Sequence, residues 1–134
     1  MRPLEYATLL DIGLEVIGSG CDVLLCAPFQ AQLSDPEWIA KLEFEASRQQ
    51  AIVKLVWVQT DRDTMRSRMK LRQSPRDQTK LRGWESYYAS LDDGFVDQVR
   101  LPKLILENST QADKPFDEQF VELLDFAKAN PTAG

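Results

Sequence analysis

The chain has 134 residues, 43% hydrophobic and 28% charged, which suits one domain with a real core, near the low end of length for a complete α/β nucleotide-binding domain. Its net charge of −5 and pI near 4.8 argue against generic nucleic-acid binding, and the lack of His excludes a Cys/His zinc site and leaves Cys21 and Cys26 as expected buried, reduced thiols. Met1 to Tyr6 lacks a basic region followed by an apolar run, and no window nears 18 continuous apolar residues, so the expectation is a soluble cytoplasmic protein with no membrane partner.

Residues 4 to 17 place Leu4, Ala7, Leu10, Leu14 and Ile17 at helical spacing, and Gly18-Ser19-Gly20 supplies a stop. Val23 to Ala27 are apolar on both faces, the pattern of a strand covered by helices on each side, and Pro28 ends it. Ser34-Asp35-Pro36-Glu37 reads as a capping box with Pro at the first helical position, predicting a helix to about Gln49 with Trp38, Leu42 and Ala46 on its apolar stripe. "AIVKLVWVQT" (51 to 60) predicts a second, buried strand, and Thr60 or Asp61 can cap the helix after it. Residues 62 to 73 are helical by composition and Pro75 interrupts them. A new helix is expected from near Asp77, its N-cap, with Leu81, Trp84, Tyr88 and Leu91 on one face. Gly83 weakens that helix by about 1 kcal/mol relative to Ala, and Asp92-Asp93-Gly94 ends it. "KLILEN" (103 to 108) predicts a third strand, and the last helix carries Phe116, Phe120, Leu123, Leu124 and Ala127 on an apolar face.

Alternation of this kind predicts an α/β fold of three layers, α/β/α, around a short parallel sheet with right-handed crossovers. Ligand crevices of such sheets lie at the carboxyl ends of the strands, which here are Pro28 to Gln32, Gln59 to Asp63 and Asn108 to Thr110.

"RSRMKLRQSPRDQTKL" (66 to 81) holds six positive side chains against one acid, net +5, so the rest of the chain carries −10. At 100° per residue Met65, Arg68, Met69 and Arg72 share an arc of about 100°. The two arginines therefore flank the apolar side, a placement that favours guanidinium groups reaching over a crevice. Arg62, Arg66 and Lys70 fall on a neighbouring face and read as solvated, while Arg76, beyond Pro75, can approach the crevice from another direction. Pattern alone also fits a solvated face throughout.

"VLLCAPF", "KLVWVQTDRDTMRSRMKLRQSPRDQTKLRGWESYY" and "LILENS" together resemble the later two-thirds of small P-loop kinases of the nucleoside-monophosphate-kinase-like class, particularly its bacterial ATP-binding-protein branch. The likeness covers about residues 6 to 128 and is most specific in the spacing of Arg68, Arg72, Arg76-Asp77 and Lys80-Leu81 after "VWV". It implies ATP with Mg²⁺, a small-molecule acceptor, and a helical LID at about 62–92 set into a single domain of residues 1–134. By the resemblance, Arg68, Arg72 and Arg76 would contact ATP phosphates, Arg72 and Arg76 acting on the transferring phosphoryl group. Pro28, Phe29 and Gln32 would border the acceptor, and Asn108 and Ser109 would lie near the adenine. Arg suits such work because phosphoryl transfer depends on positioning and charge, and an arginine finger contributes about 10³ to 10⁵ in rate.

The phosphate-cradling G-x-x-x-x-G-K-[S/T] is absent. Gly13 and Gly18 have its glycine spacing, but Ser19-Gly20 follows and the segment reads as helix. Cys26 stands near where many relatives have a metal-organising Asp, and Asp61 and Asp63 follow the next strand. The family strand that precedes that loop would lie between the strands at 23 to 27 and 52 to 58. Its loss implies one of three outcomes: the two pair directly, another chain supplies a strand, or the protein begins upstream of Met1. The expectation is an incomplete P-loop fold with little or no kinase activity. The alternative is a non-catalytic interaction domain that uses its basic helices and open sheet edge, as a homodimer or with a partner chain.

Overall fold

Helix α1 spans Pro3–Gly18 in a computed structural model that describes residues 3–91, 94–109 and 114–129. It stops where the glycines stand, with Gly20 at φ 93°, a backbone angle that glycine reaches without strain. Gly13 lies inside α1, and a Cβ there would come within 3.0 Å of Leu25 Cδ1, so this glycine serves close packing. The chain divides into two compact units, Met1–Val53 with Gly94–Leu101, and Lys54–Asp93 with Pro102–Gly134.

In the first unit, α1 is followed by the short α2 (Gln30–Leu33) and by α3 (Pro36–Ser47). Pro36 takes the first helical position as expected, but the Ser34 to Glu37 capping box is not made: Asp35 is the cap, its Oδ1 accepting from the Glu37 N–H at 3.0 Å, while Ser34 Oγ donates to the Gln30 carbonyl at 2.8 Å. Tyr6, Leu33, Ile39 and Ala46 are buried, as are Val96, Val99 and Leu101 around the 3₁₀ turn Gly94–Gln98. The expected strand at 23 to 27 does not form. Residues 21 to 26 join no sheet, and among the described residues the N–H groups of Asp22 to Cys26 meet no backbone acceptor. A strand exists only through a neighbour's ladder, and a hydrophobic run cannot supply one. Without that cover Leu24 is 82% exposed and both cysteines are exposed, so the expectation of buried thiols fails with the strand.

The second unit holds a two-stranded parallel sheet, β1 (Leu55–Gln59) beside β2 (Lys103–Glu107), in the register Leu55 to Lys103 through Gln59 to Glu107. This is a mixed helix and strand fold in which two of three expected strands form, and among the described residues β1 pairs with no strand but β2. The expected direct pairing of β1 with residues 23 to 27 is thus not made. Helix α4 (Arg62–Arg72) follows β1. The Pro75–Asp77 3₁₀ turn follows α4, and Gly83 separates α5 (Gln78–Arg82) from α6 (Trp84–Ser90) where one weakened helix was expected. Asp92 and Asp93, expected to end that helix, lie outside the described residues.

Helix α7 (Phe116–Lys128) forms where its periodicity requires, but much of its apolar face is open, with Phe116 78% and Phe120 48% exposed. Its buried residue is instead Gln119. Gln119 Oε1 accepts from the Glu107 N–H at 2.7 Å, and its Nε2 donates to the carbonyls of Glu107 and Lys114 at 3.0 Å each. One amide side chain thus satisfies the outward backbone groups of Glu107 at the edge of β2, a task otherwise done by another strand. Gln119→Ala leaves those groups without partners and should cost about 1–3 kcal/mol of stability, read as a lower urea midpoint.

Candidate functional site

The carboxyl ends of β1 and β2 are joined by side chains before any ligand is considered. Gln59 Nε2 donates to Glu107 Oε2 at 2.9 Å, Ser109 Oγ donates to Glu107 Oε1, and the Asp61 N–H donates to Ser109 Oγ at 2.7 Å. Asp61 also caps α4, its Oδ1 accepting from the Thr64 N–H at 2.7 Å. That backbone hydrogen bond, with a further one from the Thr64 side chain and the nearby Arg68 charge, holds the Asp61 carboxyl below its ordinary value of 3.8.

Above this junction α4 presents the face that its helical phase predicts. Met65, Arg68, Met69 and Arg72 line an open cleft of about 320 Å³ together with Thr60, Lys80 and Tyr87. Arg68 Nη1 donates to the Asn108 carbonyl at 2.8 Å, so the guanidinium is anchored at the end of β2 while its remaining donors stay available. Lys80 lies over the Tyr87 ring, 5.3 Å from its centroid, and three positive side chains therefore share a cleft floored by methionine and tyrosine.

Arg72 is not a free guanidinium. Its Nε and Nη2 both donate to Asp77 Oδ2, at 2.9 and 2.6 Å. The Asp77 side chain is 1% exposed and that of Arg72 is 52% exposed, so the pair runs from the interior to the cleft wall. This corrects the N-cap role expected of Asp77. Its backbone is already helical, at φ −88° and ψ −12°, whereas a cap needs an extended residue, and its side chain makes no cap hydrogen bond. Asp77 Oδ1 is buried without a hydrogen-bond partner among the described residues.

The other basic residues divide by structural role. Arg62, read as solvated, pairs with Glu85 and lies 5.6 Å from the Tyr88 ring centroid, and Arg66 lies 5.8 Å from that of Trp84. Both cover the aromatic side of α6, where Trp84 is buried as its helical spacing requires. Lys70 is exposed as expected. Arg76, expected to approach the cleft, is exposed on the Pro75–Asp77 3₁₀ turn and does not line it; the inward residue of that turn is Asp77.

Of the expected site residues, the second unit brings Arg68 against Asn108 and sets Ser109 one residue on, while Thr110 lies outside the described residues. Pro28, Phe29 and Gln32 belong to the first unit, where Pro28 and Phe29 have packing roles and Gln32 Oε1 is buried without a hydrogen-bond partner among the described residues. Phe29 lies between Tyr6 and Trp38, with ring centroids 5.4 and 6.1 Å away, and the Tyr6 hydroxyl donates to the Pro28 carbonyl at 2.7 Å. Thr60 falls within the crevice segment Gln59 to Asp63 that the strand ends predict, whereas Lys80 and Tyr87 were not anticipated as cleft residues. Lys80 had one legible signal, its place three residues after Asp77 and so one helical turn further along the same side.

Two consequences can be measured. Ionised Asp61 supports the start of α4, and because its folded-state value is depressed, that support is complete above the ordinary value of 3.8 and is lost as pH falls below it through the folded value. A carboxyl NMR titration should place Asp61 below other exposed aspartates, and Asp61→Asn should flatten acid unfolding in that window. Arg72→Ala strands the Asp77 carboxylate and should cost about 1–3 kcal/mol in urea unfolding, part of which Asp77→Asn on that background restores.

Comparison with known proteins adds no relative to this geometry: no protein-family profile matches the chain, and no curated protein or solved structure resembles it significantly.

Proposed function

We propose that the chain is an ATP-binding, P-loop kinase-like protein whose α4 cleft holds nucleotide phosphates, and that residues 1 to 134 transfer phosphoryl groups little or not at all. The observation that carries this reading is the convergence of Arg68, Arg72 and Lys80 on one cleft beside Met65, Met69 and Tyr87, past the end of β1. Two arginines offer forked donors to phosphate oxygens, lysine offers a point charge, and the thioethers and phenol offer apolar cover to a base or sugar. A volume of about 320 Å³ lies at the small end of ligand sites and suits part of a nucleotide.

Phosphoryl transfer needs more than this. The sequence has no G-x-x-x-x-G-K-[S/T] to cradle the β- and γ-phosphates. Among the described residues no group of three or more Asp, Glu, Cys or His side chains gathers to hold a metal ion, and no step is assigned to Mg²⁺. Calorimetry with ATP should detect binding that Arg68→Ala weakens about tenfold. An absence of binding, or an unchanged affinity in Arg68→Ala, would sink the reading. Turnover in the ordinary kinase range, about 1 to 100 s⁻¹, would overturn the inactive assignment.

A second reading, a non-catalytic interaction domain, draws on the edge of β1, which has no neighbouring strand among the described residues and carries the exposed Val58. It predicts a defined dimer by light scattering, with the β1 amides protected from exchange. A monomer at high concentration rejects the homodimeric form.

A further inference from the structure

We infer that Asp77 is the positioning residue of the α4 cleft: its buried carboxylate grips one edge of the Arg72 guanidinium and thereby presents the other edge to a phosphate in the cleft. This deepens the nucleotide reading and rests on it. Arg has five N–H donors in a fixed plane. Nε and one Nη2 hydrogen are taken by Asp77 Oδ2, which leaves three donors, two on Nη1 and one on Nη2, on the side away from the carboxylate. The side chain of Arg72 is half-exposed and lines the cleft, so those donors are not enclosed with the carboxylate and are open to a ligand there.

A free arginine would lose several rotatable bonds on meeting a phosphate. Here that ordering cost is met in the folded protein, because Asp77 is fully buried and cannot release Arg72 without leaving a charge unpaired. The backbone fits the same purpose. Gln73, at φ 50°, ends α4 in the left-handed region and turns the chain, so that the Pro75–Asp77 turn brings the carboxylate back to Arg72 five residues earlier. Arg68, anchored on the Asn108 carbonyl, and Arg72, anchored on Asp77, are therefore both pre-set, whereas Lys80 rests on the Tyr87 ring.

The test compares ATP with adenosine, which shares the base and sugar but has no phosphate. Asp77→Asn keeps the side-chain shape and removes the charge. It should weaken ATP about tenfold and leave adenosine unchanged, a split that a merely destabilised fold would not produce. In the Arg72→Ala background the same substitution should have no further effect on ATP. The Arg72 Nε–H signal in NMR provides a readout on the unaltered chain, which matters if Asp77→Asn folds poorly. It should be protected from exchange in the free protein and remain so when ATP is added.

Equal ATP affinity in Asp77→Asn and the unaltered chain, equal losses for ATP and adenosine, or release of the Nε–H on ATP binding would each overturn the positioning role while leaving nucleotide binding intact. If the unaltered chain binds no ATP, the nucleotide reading fails first and this role falls with it.

Discussion

The second unit is organised around one buried charge. Asp77 is wholly inside, where burying a charged group without a partner is costly. Arg72 meets the demand through two hydrogen bonds, and in doing so ties the last turn of α4 to the turn that precedes α5. The distance between those elements is therefore set by a charge-assisted contact rather than by apolar packing alone. The same contact places Lys80, three residues after Asp77, on the side of α5 from which it reaches the cleft. Had Asp77 been the exposed helix cap that its sequence position suggests, Arg72 would have been a mobile surface cation and the cleft would lack one wall.

The concentration of positive charge between Arg62 and Leu81 resolves into separate tasks. Arg62 and Arg66 lie against Tyr88 and Trp84 and hold α6 to α4 through cation and ring contacts, which keep the charged heads wet while their stems cover apolar surface. Arg68 and Arg72 are each held by an oxygen acceptor and face the cleft. Arg76 and Lys70 remain in solvent. An acidic chain thus uses most of its local basic excess structurally, and the charge offered to a ligand is smaller and better ordered than the count of arginines implies.

Apolar surface is distributed less economically. Leu24 in the unpaired stretch, Phe116 and Phe120 on α7 and Val58 on β1 are all exposed, although their sequence patterns are those of covered elements. In the sheet, Gln119 supplies at the outer edge of β2 the hydrogen bonds that a further strand would make, while β1 pairs with no second strand among the described residues. Edges of this kind are where a partner adds most stability per contact, since backbone donors and acceptors are already aligned.

Local signals were legible wherever they act within a few residues. The glycine stop after α1, the Asp35-Pro36 start of α3, the Asp61 cap and the break before Pro75 depend only on backbone angles and near-neighbour hydrogen bonds, and each is present. Helical phase likewise put Arg68 and Arg72 with Met65 and Met69, since phase follows from geometry alone. The strand at 23 to 27, the burial of Cys21 and Cys26 and the covering of α7 each required a neighbour, and composition cannot say whether one is there. The role of Asp77 was hidden for a related reason. Capping and ion pairing compete for one carboxylate, and only the tertiary placement of Arg72, five residues earlier, decided between them.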